Sequence, residues 1–204
     1  MTFWDKVAKV YDLAELFNRK ANAETVRRVG QLVPQWSSVL DCAAGTGEFS
    51  LAAAENAGSV LCTDLSPAML SQAEKKVKRC GKTNISFSQR DLNSLPEADG
   101  TYDVVIAANV LHLLLQPETA VKELWRVTAP GGMLILPTYL QGETSLFFKP
   151  FVTIYQYFGF RPYWKFTLGS YRAFLAGQGL PVEVTRVVGA MPVGLAVCRK
   201  PQPF

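Results

Sequence analysis

The 204-residue sequence predicts an α/β fold in which a seven-stranded, mostly parallel sheet carries helices on both faces and one antiparallel strand near the C terminus. Short apolar runs alternate with segments of helical periodicity along the chain. The first such run passes directly into the small-residue stretch Ala43-Ala44-Gly45-Thr46-Gly47, the kind of tight turn that joins a parallel strand to a helix. The last two runs are separated by Gly189-Ala190-Met191-Pro192 alone, a connection too short for anything but an antiparallel pair.

Each element has its own reason. From Ala21 to Val33, Val26, Val29, Leu32 and Val33 fall at helical spacing and Pro34 closes the segment. Ser38 to Cys42 is the first strand, Glu48 to Ala57 an Ala- and Leu-rich helix stopped by Gly58, and Ser59 to Thr63 the second strand. Ser66 can cap a helix with Pro67 at its first position, and Met69, Leu70, Ala73 and Val77 form its core stripe before Gly81. Asn84 to Gln89 alternates as a half-buried strand, whereas Tyr102 to Ala107 is continuously apolar, as a central parallel strand should be. Pro117 to Thr128 reads as a helix, Pro130-Gly131-Gly132 as a turn and Met133 to Pro137 as the fifth strand. Helix Ser170 to Gln178 and strands Val182 to Val188 and Val193 to Arg199 complete the count.

Composition narrows the classes of function. With 49% hydrophobic residues the chain can bury one substantial core, and one domain is expected. It divides into an N-terminal helical segment (1–36), a core (37–139), an aromatic insertion (140–168) and a C-terminal helix and hairpin (169–204). The net charge of +4 comes from 21 basic and 17 acidic residues spread along the chain, which argues against a dedicated nucleic-acid binder. Cys42, Cys62, Cys80 and Cys198 form no CxxC pair and read as reduced thiols, so a cytoplasmic setting is expected. With His112 the single histidine, no zinc site built on histidine clusters is expected and no metal is assigned. Charges interrupt the apolar positions of the first twenty residues, and no transmembrane segment is expected.

Three acids stand at the C-terminal ends of consecutive predicted strands: Asp41, Asp64 and Asp91. Each could serve as a helix cap or a solvated loop residue. Their shared position is better explained by a ligand, because open parallel sheets bind ligands along that edge. Glycines at 45 and 47 would admit a ligand to the backbone, although turns also use glycine for conformation alone. A carboxylate at 64 can accept both hydroxyls of a ribose, and Asp91 with Leu92 can meet an exocyclic amine and a ring face.

The segments VLDCAAGTGEFS, LCTDLSPAML, QRDLNSLP, YDVVIAANVLHLL and APGGMLIL together resemble the class I S-adenosylmethionine-dependent methyltransferases over roughly Phe3 to Pro137. The resemblance implies their Rossmann-like fold and S-adenosyl-L-methionine as cofactor. It implies that Asp41, Gly45 and Gly47 hold the amino-acid part of the cofactor, Asp64 and Leu65 the ribose, and Asp91 and Leu92 the adenine. Ala43, Thr46 and Met69 are also placed against the cofactor. Asn109, Val110, Leu111 and His112 would line the methyl-transfer side, with His112 an acceptor contact or general base. The N-terminal FWDKVAKVYD is similar to the start of the quinone-biosynthesis C-methyltransferases, where a tyrosine matching Tyr11 covers the cofactor; a core aromatic would serve as well.

Other motifs are set aside. Gly81-Lys82-Thr83 lacks the earlier glycine of a phosphate loop, and Asn84-Ile85-Ser86 is a sequon without a secretory context. The dinucleotide pattern GxGxxG fails at Ser50, which leaves a nicotinamide oxidoreductase as the lesser enzymatic alternative. A non-catalytic cofactor-binding module is the alternative of another class. Asn109-Val110-Leu111-His112 is not the Asn/Asp-Pro-Pro-aromatic run of adenine amino-methyltransferases.

The least ordinary segment is FFKPFVTIYQYFGFRPYWKF, in which ten of 20 residues are aromatic and no acid occurs. Phe147, Phe151, Tyr155 and Phe158 follow helical spacing. It reads either as a buried insertion or as a lid over a small apolar or aromatic acceptor, lined by Tyr139, Phe147, Phe151 and Tyr155. Lys149, Arg161 and Lys165 could then face an anionic group on the acceptor or touch a membrane surface transiently.

Overall fold

A computed structural model describes residues 18–144, 162–189 and 191–202. Helix α1 (Arg19–Leu32) leads into β1 (Ser38–Cys42), α2 (Glu48–Ala53), β2 (Ser59–Asp64), α3 (Pro67–Arg79) and β3 (Ile85–Gln89). There follow β4 (Tyr102–Ile106), a 3-10 turn (Leu111–Leu113), α4 (Pro117–Val127), β5 (Thr128–Tyr139) and a second 3-10 turn (Gln141–Glu143). Helix α5 (Leu168–Gly177), β6 (Val182–Val187) and β7 (Val193–Arg199) end the chain. The sheet order is β3-β2-β1-β4-β5-β7-β6, with β7 inserted antiparallel between β5 and β6.

Side-chain alternation divides the core in two. Leu40, Cys42, Val105, Leu134 and Leu136 face α4 and α5, while Val39, Val60, Val104, Ile106 and Ile135 face α1 and α2. Cys62 meets Leu70 and Ala73 of α3. Both faces are covered, which is why β1, β4 and β5 read as unbroken apolar runs. Burial demands that polar groups find partners, and Tyr171 of α5, fully buried, donates its hydroxyl to the Leu136 carbonyl at 2.8 Å. Thr167 and Ser170 close a capping box at the start of α5.

The sequence expectations differ from the structure in two places. Helix α2 stops at Ala53 instead of running to Ala57, and the Asn84 side-chain amide donates to the Ala54 and Ala57 carbonyls at 3.0 and 2.9 Å, taking up carbonyls beyond the helix end. Asn84 is therefore a structural cap. Strand β5 begins at Thr128, not Met133, because Pro130-Gly131-Gly132 is a bulge within the strand: Tyr102 pairs with Thr128 but Val104 with Met133. The backbone of Lys200 holds the bulge, donating to the Gly132 carbonyl and accepting from Gly131 N–H, both at 2.9 Å.

Among the described residues no helix is long and apolar enough to cross a membrane.

Lys200 also caps α4. Its ammonium donates to the carbonyls of Trp125 and Thr128 at 2.7 Å and of Arg126 at 3.4 Å, and lies 5.4 Å from the centre of the Trp125 ring. These are the carbonyls that a helix end leaves open, where positive charge is also favoured by the helix dipole. Lys200→Met should lower unfolding free energy by about 1–3 kcal/mol in urea titrations. Unchanged stability would show that water replaces the ammonium at no cost.

Candidate active site

The sheet order reverses between β1 and β4, since the chain passes from β3 at one edge back to the centre. A crevice opens at the C-terminal ends of strands on either side of such a reversal. The turn after β1 stands on one side of it and Asn109, after β4, on the other.

The turn is held in an uncommon conformation. Ala43, Gly45 and Gly47 have φ of 51°, 56° and 81°, in the left-handed region that costs an alanine on the order of 1 kcal/mol. Ala44 N–H donates to the Thr63 carbonyl at 2.9 Å and Gly47 N–H to Ala44 at 3.0 Å, folding the turn against the end of β2. Among the described residues no atom lies within 4 Å of where a Cβ would stand at Gly45, whereas at Gly47 it would come 3.1 Å from the Ala73 Cβ. Glycine 47 permits close packing on α3. Glycine 45 leaves its face open for a ligand.

Asp64 ties that turn to the next. Its Oδ2 accepts from Gly45 N–H at 2.9 Å and its Oδ1 from Ser66 N–H at 2.8 Å. The carboxylate is thus fixed at the base of the open glycine face, while Leu65 beside it is 53% exposed. Asp91 is exposed and accepts from the backbone and side-chain amides of Asn93, both at 2.9 Å. Thr46 receives a hydrogen bond from Lys76 Nζ at 3.1 Å.

Several of the expected site residues are buried. Asp41 is fully buried, and its Oδ2 accepts from Ser50 Oγ at 2.6 Å, which ties the end of β1 to α2. Ser50, the residue that spoils the dinucleotide pattern, is what holds Asp41. Met69 and Leu92 are both buried in the core, with little surface left for a cofactor. Tyr139 is also buried, and its hydroxyl donates to Asn22 Oδ1 of α1 at 2.9 Å, an engagement with the helix that the strand pattern did not suggest.

His112 is buried against β5. Its Nδ1 lies 3.1 Å from Thr138 Oγ1, its ring meets Tyr139 edge-on with centroids 6.0 Å apart, and its carbonyl accepts from the N–H groups of Tyr163 and Trp164. Burial pushes its pKa down to about 3. Buried in this way, the imidazole is uncharged at neutral pH. Asn109 has φ of 53°, donates its N–H to the Pro137 carbonyl at 2.7 Å and keeps a buried Oδ1 with no hydrogen-bond partner among the described residues. Tyr11, Phe147, Phe151 and Tyr155 lie outside the described residues.

Asp41 generates a pH dependence. Desolvation, aided by the nearby charge of Asp64 and opposed by the Ser50 hydrogen bond, raises its pKa to about 7. The folded chain therefore binds this proton more tightly than the unfolded chain, and the associated stability is lost as pH rises from the unfolded value toward the folded one. The melting temperature should fall between about pH 4 and pH 7, and Asp41→Asn should flatten that slope. Equal slopes in the two proteins would contradict the shift.

Residues 39–132, a little under half of the chain, match the methyltransferase domain family. Over 138 residues the chain is 35% identical to the demethylmenaquinone methyltransferase of Lactococcus lactis, covering 62% of this chain and 54% of that protein. It is 30% identical over 132 residues to the ubiquinone/menaquinone biosynthesis C-methyltransferase of Haemophilus ducreyi, covering 63% and 49%. The chain thus spans about half the length of these relatives. A solved S-adenosylmethionine-dependent methyltransferase from Aquifex aeolicus superposes with a TM-score of 0.69 at 22% identity, over 96% of this chain and 98% of that one, a likeness of fold. Residues 39–132 thus resemble a methyltransferase domain, the chain is similar in sequence to C-methyltransferases of quinone biosynthesis, and its fold is like that of a solved S-adenosylmethionine-dependent methyltransferase.

Proposed function

We propose that the chain transfers a methyl group from S-adenosylmethionine to a small apolar or aromatic acceptor. The observation that carries this reading is the open face of Gly45 with the Asp64 carboxylate fixed against the same turn. In this reading Gly45 and the turn backbone receive the amino-acid end of the cofactor, Asp64 and Leu65 the ribose, and Asp91 the adenine amine. The residues present fit such a ligand: an open backbone face, an anchored carboxylate and an exposed second acid follow one another along the sheet edge.

When bound, the cofactor supplies an electrophilic methyl group on a sulfonium. The chain has then to hold an acceptor in line with it and exclude water, and such positioning can lower a barrier by roughly 7–11 kcal/mol. Asn109, Thr138 and the buried His112 surround the end of β4 and β5 where that acceptor would lie. The kinship to enzymes named for demethylmenaquinone favours an aromatic or quinol-like acceptor. A lid role for residues 147–166 belongs to the same proposal, as do a cytoplasmic location and the absence of a nucleic-acid substrate.

Incubation with radiolabelled S-adenosylmethionine and a panel of phenols, hydroquinones and aliphatic amines tests this. Label on an aromatic acceptor is the expected outcome; cofactor binding without transfer to any acceptor would favour a non-catalytic binding module.

Two substitutions sharpen the assignment of roles. Asp64→Ala should weaken cofactor binding by about 1.5–3 kcal/mol in calorimetry, the loss of charge-assisted hydrogen bonds. His112→Gln should leave the shape of the turnover profile between about pH 6 and pH 8 unchanged, since an imidazole with a strongly depressed pKa does not titrate there. Loss of an acid limb in that variant would identify His112 as the base.

A further inference from the structure

We infer that Gln141, together with Thr144, recognises a neutral hydroxyl on the acceptor, an inference that rests on the reading of this edge as the methyl-transfer site. The turn that begins at Gln141 follows directly on β5 and is pinned on several sides. Leu140 N–H donates to the Pro192 carbonyl at 2.7 Å, Gly142 N–H to Phe166 at 2.9 Å, and Leu168 N–H to Glu143 Oε1 at 2.7 Å. Arg186 pairs with the other oxygen of Glu143 at 3.2 Å. Inside this well-bonded frame, both the Nε2 and the Oε1 of Gln141 and the Oγ1 of Thr144 are closed off from solvent without a hydrogen-bond partner among the described residues.

That combination is costly. A buried amide that forgoes water and receives nothing in return loses the hydrogen bonds it had in the unfolded chain. Other half-buried amides do find partners: those of Asn56 and Asn84 donate to backbone carbonyls. Buried polar groups left unpaired call for an explanation, and a ligand that completes them is one. Asn109 Oδ1, at the end of the neighbouring strand, shares the condition. Its N–H is bonded to Pro137 of β5, a few residues before Gln141.

The donor set defines the chemistry. An amide and a hydroxyl each offer a donor and an acceptor, and Asn109 Oδ1 adds an acceptor. A phenol or hydroquinone hydroxyl, which both donates and accepts, satisfies such a set. An anionic group would need a cation, and among the described residues the guanidinium that reaches this turn, that of Arg186, is already paired with Glu143. The lysines and arginine of the aromatic insertion are therefore not required for recognition at this point.

The test uses 1,4-dihydroxynaphthalene and its dimethyl ether, titrated anaerobically by calorimetry into full-length protein saturated with S-adenosylhomocysteine. The diol should bind about 10-fold or more tightly than the ether, the effect of one good hydrogen bond. Gln141→Met should remove most of that preference, leave S-adenosylhomocysteine affinity unchanged and raise the melting temperature of the free protein by about 2–4 °C, because an unpaired amide has been replaced by an apolar chain of similar size. A residue with a merely structural role would lower it. Thr144→Val provides a second variant, with a smaller loss of preference in the same direction. Equal binding of diol and ether by the unsubstituted protein, or full preference retained in Gln141→Met, overturns the inference. Label transfer to the diol separates it from the reading on which it rests. Transfer at undiminished kcat/KM by Gln141→Met defeats the inference alone, whereas Gln141-dependent diol binding without any transfer defeats the proposed activity alone.

Discussion

The left-handed turn at the end of β1 depends on carboxylates set on two sides of it. From beneath, buried Asp41 accepts from Ser50 and couples the strand to α2; from the side, Asp64 accepts the N–H of Gly45 and couples the turn to β2. Without these bonds, a run with Ala43, Gly45 and Gly47 all at positive φ would have many cheaper conformations. With them, the Gly45 backbone presents an open face at the crevice where the sheet order reverses. The central parallel strands, covered on both faces, supply the rigid support that this arrangement requires.

The same logic organises the other side of the crevice. Asn109 bonds to Pro137, His112 to Thr138 and Tyr139 to Asn22, so that the ends of β4 and β5 and the start of α1 form one bonded unit. The carbonyl of His112 also receives Tyr163 and Trp164, and Phe166 packs among Trp164, Tyr171 and Phe174. Tyr163 and Trp164 thus dock on the loop that carries His112. Chemistry that is chiefly positional is well served by such a frame, since small displacements of the reacting atoms are expensive.

Much of this was legible in the sequence because periodicity and turn chemistry are local. The seven strands, the glycine turn and the antiparallel hairpin follow from residues near one another in the chain. What escaped was set by distant partners. The bulge at Pro130-Gly131-Gly132 looks like a plain turn until Lys200 arrives to pair with it. Asp41 reads as an exposed acid at the end of a strand, and its bond to Ser50 and its complete burial appear only in the fold. His112 suggested a base because a lone imidazole beside a ligand edge often is one; its depressed pKa comes from the surrounding apolar packing, which no spacing reveals. Gln141 gave no signal at all, since a glutamine after a strand is ordinary until its atoms are seen to be buried and unpaired.

The account depends most on where the cofactor lies, and a crystal structure of the complex with S-adenosylhomocysteine tests that most directly. The expected result is ligand density along the C-terminal ends of β1, β2 and β3, with the carboxylate end over Gly45, the ribose hydroxyls on Asp64 and the adenine beside Asp91. Density at any other edge of the sheet, or a complex in which Asp64 makes no contact with the ribose, would contradict it.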